Sequence, residues 1–300
     1  MNILDNDTIY FRVAGFLFRL SLPEGGKALP EAFTPFLCEP AEDEEAISSF
    51  RLLPEPRPLT DEAGYLMEEN ENDMGRLHLF RTEEGYRVEL YDGDGHPHRM
   101  CADPAFRSVR LSLAGTDRDG HALSSLLRIA CSMAVLPHGA VSLHASTVFD
   151  DEGHAFLFMG KSGTGKSTHS ALWLKHFAGC GLLNDDNPFV RMDKGIARVY
   201  GTPWSGKTPC YKNLSFPITG IARLKQAKAN RFVRQEGIGA FTLLLPGCSV
   251  IRQDKRLYDE LCNTLVQLAE SVPTGLLECL PDREAALLCR QSFAQTDSKI

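Results

Sequence analysis

The chain lacks the features that would assign it quickly to several common classes. No two of its nine cysteines form a C-x-x-C pair, and the closest, Cys279 and Cys289, stand ten apart. Most lie in apolar runs, such as Cys131 in "LRIACSMAVL" and Cys262 in "DELCNTL". That is the pattern of buried free thiols in a reducing compartment, not of a disulfide framework or a thiolate zinc site. No apolar run approaches the ~18 residues of a membrane helix, and "MNILDNDTIYF" carries acids where a secretory signal needs basic residues. A cytoplasmic location with no membrane partner is expected. Excess positive charge is missing too: Lys and Arg number 32 against 39 Asp and Glu, a net of −7. Phosphate-backbone affinity comes largely from clustered Lys and Arg, so no nucleic-acid partner is expected. There is no internal repeat.

What is present is an ordinary globular composition, 43% hydrophobic and 24% charged over 300 residues, enough for one large or two modest domains. The first part is β-rich. "TIYFRVAGFLFRLSL", "RLHLFRT", "YRVELYD" and "SVRLSLAG" alternate in strand fashion between turn signals such as "DGDG". The acidic stretches "EPAEDEE" and "DEAGYLMEENEND" read as solvated loops. "GHALSSLLRIACSMAVLP" has helical spacing and stops at Pro137. From about residue 138 apolar strands, beginning with "AVSLHASTVF" and "HAFLFMG", interleave with helical patterns, which predicts an α/β domain. A β-rich domain over 1–120 and an α/β domain over 121–300 are expected, with the tail "AQTDSKI" frayed.

The chemistry is concentrated in "FLFMGKSGTGKSTHSALWL", Phe156 to Leu174. Gly160, Gly165, Lys166 and Ser167 satisfy G-x-x-x-x-G-K-[ST] between a strand and a helix, the signature of a phosphate-binding loop. Its glycines let successive N–H groups turn inward on phosphate oxygens, and the opening helix adds its positive end. Gly160, Lys161, Ser162, Gly163, Thr164, Gly165, Lys166, Ser167 and Thr168 are therefore expected to cradle a nucleotide, with Ser167 on Mg²⁺. Asp185 and Asp186 follow the short apolar strand "GLLN", nineteen residues after Lys166. If that strand neighbours the strand before the loop, both carboxylates reach the sheet edge where open α/β sheets bind ligands. One acid would hold the metal while the other accepts a hydroxyl proton. The alternative is a plain turn, since Asn-Asp-Asp-Asn-Pro favours one. His144, one strand earlier, is placed to point at the γ-phosphate or to be a satisfied core residue. "GTPWSGK" offers Trp204 and Lys207 to a base, acceptor or phosphate, or is a structural loop. No N-K-x-D guanine reader and no L-S-G-G-Q transporter signature occur, which leaves a small kinase-like domain as the best fit.

"SLHASTVFDDEGHAFLFMGKSGTGKST" followed by "GLLNDD" resembles the catalytic core of the HPr kinase/phosphorylase family. "GKSGTGKSTHS" with "NDDNPF" is also similar to the ATP-dependent phosphoenolpyruvate carboxykinases, which share that P-loop fold. The resemblance implies a C-terminal P-loop kinase domain of this type and a β-rich N-terminal domain. ATP and Mg²⁺ would be bound, with Lys166 and Ser167 on the phosphates and metal. Asp185 would be the base, Asp186 the metal partner, and His144 would lie near the transferred phosphate. The acceptor would be a serine hydroxyl of a protein, peptide or small molecule, and a homo-oligomer is possible. The glycine-rich, acid-bearing segment of HPr kinases is replaced by "VYGTPWSGK", so neither HPr as substrate nor the phosphorylase reaction is implied. Arg223, Arg231 and Arg234 are candidates for charge at the transition state. A conventional small-molecule P-loop kinase and a nucleotide-binding regulatory or peptide-maturation protein without phosphotransfer are the alternatives.

Overall fold

A computed structural model describes residues 8–24, 29–54, 64–72, 75–206 and 208–294. The acidic start of the chain, Lys207, the ends of the second acidic stretch and residues 295–300 of the tail lie outside them. Two compact units result, Met1–Val135 and Leu136–Ile300.

The first unit is one mixed sheet with a helix. Its strands are β1 (Thr8–Val13), β2 (Phe16–Ser21), β3 (Ser48–Leu52), β4 (Gly64–Asn72), β5 (Gly75–Thr82), β6 (Tyr86–Tyr91), β7 (Pro97–Ala102) and β8 (Ser108–Ser112). They lie in the order β1-β2-β3-β8-β7-β6-β5-β4. The run from Thr8 to Leu22 folds as a hairpin. Ala14 and Gly15 both take positive φ, 53° and 83°, as a two-residue turn between twisted strands requires. Phe11 stacks on Phe18 at 5.2 Å and meets the edge of Phe33 at 5.3 Å. "EPAEDEE" is irregular, as expected, but the second acidic stretch is not a loop: its described part is edge strand β4. Pairing with β5 outweighs its poor strand propensity, because the glutamates of an edge strand stay solvated. Helix α1 (Asp119–Ala134) packs against β7 and so belongs to this unit, which moves the break from 120/121 to 135/136.

The second unit contains β9 (Ala140–Ser142), β10 (Ala145–Phe149), β11 (Ala155–Met159), α2 (Lys166–His176), β12 (Gly181–Asn184), β13 (Phe189–Asp193) and β14 (Ile196–Tyr200). It continues with β15 (Ser215–Gln226), β16 (Arg231–Gln235), α3 (Ile238–Leu244), α4 (Lys255–Ser271), β17 (Thr274–Cys279) and α5 (Arg283–Ala294). The main path runs β12-β10-β11-β15, with β17 and then β16 added beside β15. β10 is antiparallel to both β11 and β12, β11 is parallel to β15, and β15 is parallel to β17. The C-terminal ends of β11, β12, β15 and β17 and the start of β10 therefore share one edge. The first residues of β15 pair instead with β14, which leads through β13 to β9.

"AVSLHASTVF" is not one strand but two, β9 and β10. At the break the Leu143 N–H goes to Pro188 O at 3.1 Å and the His144 N–H to Gly247 O at 2.7 Å, so the chain crosses between sheet segments without orphaning its amides. α2 and α5 cover the main sheet. Trp173 is fully buried 4.5 Å from Phe156, and truncating such a side chain costs about 3–5 kcal/mol. At Gly220 a Cβ would fall into the Phe293 ring, so only glycine lets α5 approach β15 this closely.

Candidate active site

β11 delivers its chain to Gly160 at the shared edge, and the loop closes at Gly165 with φ 103° in the left-handed region that favours glycine. α2 then begins at Lys166 with no side chain capping its first turn. Its leading N–H groups are left for an anion, reinforced by the helix dipole. Ser167 and Thr168 are exposed on that first turn, as are Lys161, Ser162 and Gly163 in the loop.

Lys166 is drawn inward. Its Nζ lies 2.6 Å from His144 Nε2 and donates to Gly160 O at 3.1 Å. His144 Nδ1 in turn lies 3.2 Å from Asp186 Oδ1. An ammonium has only protons to give, so Nε2 is the acceptor and the imidazole proton sits on Nδ1, facing the carboxylate. Lys166 of the glycine loop, His144 and Asp186 thus form one chain of polar contacts. His144 itself lies at the strand break between β9 and β10 rather than within a strand.

Asp185 is tied to the same edge by a second route. Ser146 Oγ donates to Asp185 Oδ1 at 2.8 Å and lies 2.6 Å from Ser170 Oγ on α2. The other oxygen, Asp185 Oδ2, is buried with no hydrogen-bond partner. Both acids are buried, at 4% and 8% exposure. The expectation that their strand neighbours the P-loop strand needs correction, because β10 lies between β12 and β11. They still connect to the glycine loop and its helix, through Ser146 of the interposed strand and His144 just before it.

Asn184 builds the acidic turn. Its Oδ1 accepts from the Asp186 and Asn187 amides at 2.9 and 2.8 Å, while its Nδ2 donates to Thr202 Oγ1 at 3.1 Å and Trp204 O at 3.0 Å. The turn-forming character of Asn-Asp-Asp-Asn-Pro is therefore real and serves to aim the carboxylates. Trp204 corrects the ligand-contact reading: its indole is 4% exposed and lies 5.6 Å from Phe189, so it is not offered to a ligand. A Cβ added at Gly206 would stand 3.0 Å from Asp185 O and 3.4 Å from Asp186 Cβ, so the loop backbone passes close to the acidic turn. Arg223 donates to Leu243 O at 2.9 Å, and Arg234 pairs with Glu236. Arg231 stands opposite Glu278 in the β16–β17 pairing. These contacts are with the scaffold, not with the loop or the acids.

Sequence reasoning missed Ser146, Ser170 and the organising role of Asn184. Ser146 shares a strand face with position 144 by two-residue alternation, and Ser170 is one helical turn beyond Lys166, so both had a periodic signal. Also missed was a cavity of about 610 Å³ on the other flank of the loop. It is lined by Thr168, His169 and Leu172 of α2, Leu224 and Gln226 of β15, and the Cys279–Pro281 segment after β17. Gln226 Nε2 donates to Gly163 O at 3.2 Å, fastening the loop to this wall. His169 accepts from Trp173 Nε1 at 3.2 Å, and burial pushes its imidazole down to about 4.

The nine cysteines are all free. Among the described residues no helix is long and apolar enough to cross a membrane. No family model matches the chain. No curated protein matches it either. Among solved structures it is similar to the Hpr(Ser) kinase/phosphatase from Coxiella burnetii, at 14% identity over 53% of this chain and 91% of that one, with a TM-score of 0.33. So low a score leaves the geometry of the site itself as the ground for any functional reading.

Proposed function

We propose that the chain is an ATP-dependent phosphotransferase that moves the γ-phosphoryl group to a hydroxyl, that of a serine in a protein, peptide or small molecule. One observation carries the reading. A phosphate-loop lysine, a histidine and two buried aspartates meet at a single sheet edge, beside a helix whose first turn is uncapped. The N–H groups of that turn would hold the phosphates. Lys166, now shared between His144 and Gly160, would turn to the β- and γ-oxygens. His144, its proton held on Nδ1 by Asp186, keeps a lone pair toward the lysine and so guides that movement. The cavity walled by Leu172, Leu224 and Pro281 suits the nucleoside in size, with Thr168 and Gln226 as polar handles.

Asp185 has one oxygen committed to Ser146 and one without a partner, so Oδ2 is the atom that would take the acceptor proton. As the acceptor oxygen bonds to the γ-phosphorus, the bond to the β–γ bridging oxygen breaks and ADP leaves. The proposed donors fit a hard cation, being a carboxylate and an exposed hydroxyl oxygen. Ser167 and Asp186 would hold Mg²⁺, which would supply positive charge to offset that of the phosphates.

The antiparallel strand β10 beside the P-loop strand disfavours a conventional small-molecule kinase, whose doubly wound sheet is built of parallel strands. The test is transfer of label from γ-labelled ATP to serine, peptides and carrier proteins. Lys166→Ala is expected to lose nucleotide binding, and Asp185→Asn to bind ATP without transferring label. Transfer undiminished in Asp185→Asn removes the base from the mechanism. Tight ATP binding with no product across the panel favours a regulator.

A further inference from the structure

Helix α2 turns a second face to the cavity beside the glycine loop. Gly165, Thr168, His169 and Leu172 all line that cavity, at the i, i+3, i+4, i+7 spacing of one helix face. Among them His169 is a buried titratable side chain, 3% exposed, to which phosphoryl transfer gives no task.

Two contacts hold its ring in one orientation. The imidazole meets Phe158 edge to face, with centroids 4.6 Å apart and planes at 76°. Its Nε2 accepts from Trp173 Nε1 at 3.2 Å, and that indole is itself packed against Phe156 and Phe177, at 4.5 and 5.0 Å. An indole N–H can only donate, so Nε2 carries the lone pair and the ring proton sits on Nδ1. Nδ1 has no hydrogen-bond partner among the described residues. Nor does it belong to the unpartnered side-chain atoms that are sealed from solvent, so it is open on the cavity that the residue lines. The Nδ1–H is thus a donor fixed before any ligand arrives.

The surroundings say what kind of acceptor suits it. Burial keeps the imidazole neutral, down at about 4, so it offers a phosphate no charge. Leu172, Leu224, Leu280 and Pro281 make the cavity walls largely apolar. A flat ring bearing acceptor nitrogens satisfies walls and donor together.

We infer that His169 reads the base of the bound nucleotide, donating its Nδ1–H to a ring nitrogen of the adenine. The inference rests on the proposed ATP site and adds to it a residue that contacts the base rather than the phosphates. A base without that nitrogen would cover the N–H and leave it unsatisfied, which is the source of selectivity at a site built around a hydrogen bond.

The test measures binding to the full chain by calorimetry in the presence of Mg²⁺. The ligands are ATP, inorganic triphosphate, and the 1-deaza, 3-deaza and 7-deaza analogues of ATP, each with C–H in place of one ring nitrogen. ATP is expected to bind more tightly than inorganic triphosphate, and one analogue to bind about fivefold or more weakly than ATP. His169→Phe keeps a ring against Phe158 and removes the donor. In it ATP should weaken by the same factor, and that analogue should lose nothing further. The analogue series on the parent chain needs no variant, so it tests the inference even where loss of the Trp173 bond unfolds His169→Phe. Three analogues that all bind as ATP does, with ATP still tighter than triphosphate, would overturn the inference and leave the nucleoside in the cavity. An analogue penalty that persists in His169→Phe would assign the contact to another donor and overturn it too. ATP no tighter than inorganic triphosphate would overturn both the inference and the placing of the nucleoside.

Discussion

Ser146 joins the acidic turn to the phosphate-loop helix, and its removal has a calculable cost. The side chain is fully buried, and its Oγ contacts Asp185 Oδ1 at 2.8 Å and Ser170 Oγ at 2.6 Å. Ser146→Ala would leave a buried carboxylate with neither oxygen partnered, since Oδ2 already has none. Losing a hydrogen bond to a charged group costs about 1.5–3 kcal/mol, and both residues are buried, so about 2–3 kcal/mol is expected. Ser170→Ala removes only the neutral end of the same chain and should cost about 1 kcal/mol. Because the two hydroxyls touch, the double variant should fall short of the sum by about 0.5–1 kcal/mol. Urea unfolding at unchanged m-value measures all three. A Ser170→Ala cost equal to that of Ser146→Ala, or two costs under ~0.5 kcal/mol, would refute the link between the acids and the helix.

Two further predictions concern the cavity beside the loop. Burial holds the His169 imidazole at about 4, below its ordinary 6.5, so between those values the unfolded chain binds a proton that the folded chain refuses. The stabilising difference is present above pH ~6.5 and is lost as pH falls toward ~4, by about 3 kcal/mol in all. Urea midpoints across that window should show a shallower dependence in His169→Gln, and an identical slope would sink the assignment. Ala227, just after β15, also lines the cavity, and Ala227→Trp should fill it and weaken ATP at least tenfold while leaving inorganic triphosphate binding unchanged; equal loss of both ligands would place the nucleoside elsewhere.

The strand, glycine loop and helix from Ala155 to His176 were legible in the sequence because their signals are local: an apolar run, closely spaced glycines and a helix-forming stretch. The hairpin turns "DDEG" and "DKG" carry the same kind of local signal. Sheet order does not. Whether β10 or β12 lies next to β11 depends on pairings between distant segments, and no short pattern reports them. The same is true of β4, whose glutamates describe a loop until β5 is beside it, and of α1, whose side of the unit boundary is decided by β7. His144 and the two acids could be named from spacing, whereas Ser146, Ser170 and Asn184 are commonplace residues that acquire a role only through their neighbours.

The central claim is that the twin acids and the glycine loop serve one metal–nucleotide complex. Its most direct test is electron paramagnetic resonance of Mn²⁺, counting only the ion whose binding depends on added ATP. One such ion per chain is predicted, lost with the nucleotide in Lys166→Ala and weakened about tenfold or more in Asp186→Asn. ATP-dependent Mn²⁺ affinity that is the same in Asp185→Asn, Asp186→Asn and the parent chain would contradict the account.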